Sequence, residues 1–67
     1  MNIRINIRPL SDAQAKKALV FLEAQGIAGL HKDSVEVLTV SDEVYAAIAA
    51  YQEENALPPA FLLEEVD

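Results

Sequence analysis

The sequence predicts a small α/β domain of the α+β kind, with its elements in the order β-α-β-α. Three observations carry that expectation. Apolar and polar residues alternate strictly over 2–8, two segments of helical periodicity each open on a serine, and a β-branched run lies between them.

Residues 2–8 read Asn-Ile-Arg-Ile-Asn-Ile-Arg. Ile3, Ile5 and Ile7 share one face, and Asn2, Arg4, Asn6 and Arg8 share the other. A period of two marks a strand with one dry and one wet face. Pro9 ends it.

Ser11 and Gln14 have the spacing of a capping box, in which each side chain satisfies a free backbone N–H of the first helical turn. Gly26 stands where a left-handed residue closes a helix, and Ile27 can fold back on Leu22. The first helix is therefore expected over Asp12 to Gln25. Ala15, Ala18, Leu19 and Leu22 form its apolar stripe. Val20 and Phe21 lie off that stripe, flanked by Lys16, Lys17 and Gln25.

Gly29 and the run His31-Lys32-Asp33-Ser34 mark a loop. Val35 to Val40 is the second strand. Both of its faces carry apolar groups, which predicts a central strand or one covered on both sides. Ser41 caps the second helix, with Asp42 and Glu43 in the first turn, where acids favour the helix dipole. Val44, Ala47, Ile48 and Tyr51 form its expected buried stripe, and Pro58 and Pro59 end it.

This spacing predicts a right-handed parallel crossover between the two strands. Helices cover a short two- or three-stranded sheet, because two strands alone make a poor one. The β-α-β-α domain occupies 1–57. The tail, 58–67, is apolar and then acidic. It could add a third strand, form a helical turn or order on binding; pairing across a dimer would also complete the sheet. No internal repeat or low-complexity linker is evident.

Sixty-seven residues bury little surface, so assembly with another chain is the expected source of extra stability. There is no cysteine for a disulfide. One histidine and scattered carboxylates predict no metal and no cofactor. The longest apolar runs, Ala18 to Leu22 and Val44 to Ala50, are too short to span a bilayer. With no signal-peptide pattern, a cytoplasmic location is expected.

The net charge is −6, and it is unevenly placed. Residues 1–32 hold all five basic residues and two acids; residues 33–67 hold nine acids and no Lys or Arg. Such asymmetry points to a charged partner or to self-complementary packing.

No enzyme is expected. Ser11 and Ser41 are explained by capping, and Ser34 has only His31 nearby and no third group. Glu53-Glu54 and Glu64-Glu65 are neighbours in sequence with no sign of differing environments. Gly26 and Gly29 do not precede a helix, so no phosphate cradle is predicted.

Arg4, Asn6 and Arg8 line one face of the first strand, and Arg and Asn suit bidentate contact with base edges. Together with Leu10-Ser-Asp-Ala-Gln-Ala and Gln25-Gly-Ile27, this stretch resembles the start of a ribbon-helix-helix protein. The resemblance covers about the first 28 residues. It implies a dimer that binds DNA through paired N-terminal strands, as a transcriptional regulator. The chain departs from that pattern after Ile27, where a loop and a second strand replace the second helix, and its acidic second half would repel phosphate.

The favoured expectation is a non-catalytic protein-binding module, such as an acidic inhibitor, an antitoxin-like protein or an accessory subunit. Its anchors would be Val20, Phe21, Phe61, Leu62 and Leu63, rimmed by Glu64 and Glu65. That combination suits a basic partner protein, and a homo-oligomer is also expected.

Overall fold

A computed structural model describes residues 1–65 of the chain. Strand β1 (Asn2–Asn6) is followed by helix α1 (Asp12–Ala24), strand β2 (Val35–Thr39) and helix α2 (Asp42–Glu54). A single 3₁₀ turn (Pro59–Phe61) then leads into strand β3 (Leu62–Glu64). The tail thus supplies the third strand; its last two residues, Val66 and Asp67, lie outside the described residues.

The sheet order is β2-β1-β3, and both pairs are antiparallel. This overturns the parallel crossover. Ten residues separate α1 from β2, from Gln25 to Ser34. Extended, they reach about 33 Å, enough to cross the domain, whose longest dimension is 30 Å. The chain therefore enters β2 beside the end of β1, where the Ile7 N–H donates to the Ser34 carbonyl at 2.9 Å. The strict alternation of β1 agrees with this outcome. Antiparallel sheets keep one face wet, whereas parallel strands are buried on both.

β2 is consequently an edge strand, not a central one. Register pairs Ile3 with Leu38 and Arg4 with Val37. Leu38 thus shares the dry face with the isoleucines, while Val35, Val37 and Thr39 share the wet face with Asn2, Arg4 and Asn6. Both helices cover the isoleucine face. Ile3, Ile5 and Ile7 are fully buried there with Ala15, Ala18, Leu22, Ile48 and Phe61. Ala15, Ala18 and Leu22 are the residues that α1 buries in this core.

The helices are built alike, thirty residues apart. Ser11 and Ser41 each accept a backbone N–H from three residues on, at 3.2 and 3.1 Å, and Ser11 completes its capping box with Gln14. At α1's end, the Ile27 N–H donates to the Leu22 carbonyl and the Gly26 N–H to that of Glu23, both at 2.9 Å. At α2's end, the Leu57 N–H donates to the Gln52 carbonyl at 3.0 Å and the Ala56 N–H to that of Glu53 at 3.2 Å. Both ends are Schellman motifs, which need a left-handed residue at their fifth position. Gly26 fills it at φ 86°, and Ala56 fills it at φ 51°. The two helices thus share a serine cap, a following aspartate and a closing turn at a spacing of thirty residues, while the side chains they bury differ.

Two stability predictions follow from this packing. Phe61→Ala should cost about 3–5 kcal/mol in denaturant titrations, most of the stability expected for a chain this size. Ala56→Gly should add about 0.5–1 kcal/mol in the same assay, because the Cβ that strains the left-handed conformation is removed.

Candidate interaction surfaces

The isoleucine face of the sheet is covered, and among the described residues the other face is bare. Across its middle runs the row Val37, Arg4, Leu63, one residue from each strand. Val37 is 57% exposed, Leu63 43% and the neighbouring Val35 41%. Arg4 lies between two apolar side chains, where its methylene stem adds to the apolar surface. Arg4 Nε approaches Glu65 Oε1 at 2.6 Å. That oxygen is withdrawn from solvent and accepts no well-directed hydrogen bond, so the contact is chiefly Coulombic. The Thr39 hydroxyl donates to Asn2 Oδ1 at 2.7 Å across the same face.

Among the described residues, β2 also leaves one edge free. The pairs Ile7–Ser34 and Val40–Met1 carry ladder bonds to β1. Antiparallel ladders alternate, so Glu36 and Leu38 also turn their backbone groups to β1. The N–H and C=O groups of Val35, Val37 and Thr39 then point away from the sheet.

A second surface lies on the helical side. Phe21 of α1 and Tyr51 of α2 stack with ring centroids 4.2 Å apart and planes 14° from parallel. They occupy equivalent positions of the two helices. With Lys16, Lys17, Val20 and Asn55 they line an open groove of about 600 Å³. Val20 is 65% exposed at its rim.

The anchors expected from the sequence divide accordingly. Phe61 and Leu62 are buried in the protein's own core and present nothing to a partner. Phe21 is half-buried against Tyr51. Val20 and Leu63 are exposed, but on opposite sides of the molecule. Glu64 is exposed, and Glu65 is engaged by Arg4. Val35 and Val37 were missed, because both faces of β2 are apolar and only register reveals which face is covered.

Arg4, Asn6 and Arg8 fall on the wet side, as their alternation predicts. Asn6 Oδ1 accepts the Arg8 backbone N–H at 3.1 Å, and Arg8 Nε donates to the Asp33 carbonyl at 3.1 Å. β1 is paired along both edges. The paired N-terminal strands implied by the ribbon-helix-helix resemblance require a first strand with a free edge, and β1 has none.

Ser34 is buried, and its hydroxyl accepts the His31 backbone N–H at 2.8 Å, closing a turn. No group of three or more metal-ligating side chains occurs among the described residues. No helix of the described residues is long and apolar enough to cross a membrane. The chain matches no protein-family model, no curated protein and no solved structure.

Among the described residues, Lys32 and Tyr51 depart from their ordinary values. Lys32 is raised above 10.5, first by its hydrogen bond to Asp12 and then by that carboxylate's charge. Tyr51 is raised above 10.0 by burial, which disfavours the phenolate. A folded-state value above the unfolded one gives stability that is complete at lower pH and lost as pH rises through the shifted value. Denaturant titrations at increasing pH should therefore show stability falling from about pH 10 upward, in parallel with phenolate absorbance.

Proposed function

We propose that this protein is a non-catalytic protein-binding module that holds a basic partner on the bare face of its sheet. The observation that carries the reading is the exposure of Val35, Val37 and Leu63 together on one uncovered face. Apolar side chains clustered on a flat surface gain free energy when a partner removes them from water, at about 25 cal/mol per Å² buried.

Charge supports the choice of partner. Arg4, the cation at the centre of the face, is already neutralised by Glu65. Glu36 and Glu64 are exposed on the two edge strands but share the isoleucine side of the sheet, so they add to the long-range negative field and not to the contact face itself. The whole chain carries −6, so its field attracts positive proteins and speeds encounter. A small inhibitor or an accessory subunit of a larger assembly would have this form.

The test uses the double variant Val37→Thr, Leu63→Thr, which keeps strand propensity and removes apolar surface. Tagged wild-type and variant chains would be used to capture proteins from host lysate, with quantitative mass spectrometry as the readout. A basic protein retained by the wild type should fall about tenfold or more on the variant, with the melting temperature little changed. Equal retention on both chains, or capture lost only when Val20→Asp alters the helical groove, would refute the sheet face as the site.

A further inference from the structure

We propose that the free edge of β2 pairs antiparallel with β2 of a second copy of this chain, making one continuous six-stranded sheet. The inference concerns the edge of the sheet and stands apart from the partner proposed for its face.

The edge is weakly guarded. Natural edge strands are blunted by Pro, by charged residues and Lys above all, by a bulge or by a covering loop. Val35–Thr39 contains neither Pro nor Lys, carries Glu36 as its one charge, and pairs with β1 in unbroken register. Its outward backbone groups belong to Val35, Val37 and Thr39. A two-fold axis at Val37 sets Val37 opposite its own copy and Val35 opposite the partner's Thr39. All three outward residues then bond, giving about six ladder hydrogen bonds. Moving the axis one residue to Glu36 would lose bonds and oppose two glutamates directly, which is destabilising. In the Val37 register each Glu36 instead lies opposite a leucine, the partner's Leu38.

Charge complementarity favours the same register. The chain's basic half ends at Lys32, and its acidic half begins at Asp33, just before β2. Lys32 therefore lies before the strand's start, and Asp42 and Glu43 open the helix after its end. Antiparallel pairing about Val37 brings the Lys32 end of each chain beside the Asp42 end of the other, twice by symmetry. Lys32 is largely exposed although it pairs with Asp12, and an ammonium has three donors to share. On the bare face the apolar rows would meet at Val37 and run across both chains.

Amide hydrogen exchange by NMR, with molar mass from sedimentation, tests the proposal. The amides of Val35, Val37 and Thr39 should become protected as protein concentration rises, and the mass should approach that of two chains. Val37→Lys places two cations at the axis and should weaken association about tenfold or more, leaving a folded single chain. Lys32→Glu and Asp42→Lys should each weaken it about fivefold, and the two together in one chain should restore it. A single-chain mass at all concentrations would overturn the proposal. So would a dimer indifferent to Val37→Lys, or one whose Val35, Val37 and Thr39 amides stay unprotected. The threonine variant of the face keeps the β2 backbone, so failure there and failure here are distinguishable.

Discussion

The central strand β1 is the constraint on which the other elements depend. Ile3, Ile5 and Ile7 are its dry face, and all three are removed from water. Its backbone is paired on both sides, so it orders β2 and β3 as well as receiving the helices. A strand with a period of two has only one face to bury. Both helices must therefore share that side, and the opposite side is left without a layer. The bare face is a consequence of three isoleucines separated by polar residues.

The helices meet this demand by similar means with different side chains. Each begins on a serine cap followed by aspartate and ends in a Schellman turn thirty residues from its counterpart. Phe21 and Tyr51 hold equivalent places and stack where the helices meet. Offset stacking contributes beyond the area it buries, and it leaves a groove beside the pair. The burial differs between the two: α1 buries two alanines and a leucine, whereas α2 buries one isoleucine completely. Leu10 and Leu57 of the connections and Phe61 and Leu62 of the tail complete the buried core. The chain needs its last turn and strand to finish the core as well as to widen the sheet.

Charge and topology coincide at β2. This strand starts just after the switch from the basic to the acidic half, and it lies at the sheet's edge. Its side chains and its unpaired backbone groups therefore occur together at one margin, between regions of opposite sign. Neither end of the strand has that arrangement in the sequence alone, because adjacency to the edge comes from pairing order.

Local chemistry was legible in the chain. The first strand's alternation, both serine caps, the Gly26 turn, the length of the first helix to within a residue and the polar loop follow from period, capping and backbone preference, which act over a few residues. The third strand was one of several forms open to the tail, since three residues have too little pattern to choose among them. The direction of β2, its place at the edge and the burial of Phe61 were decided only in three dimensions. A ten-residue loop can reach either end of a strand, and register alone determines which of two apolar faces is covered. The candidate site inherits that division: Leu63 and the arginine face were visible in sequence, while Val35, Val37 and the free backbone edge exist as a surface only because β1 pairs with β2 antiparallel and no layer covers the far side.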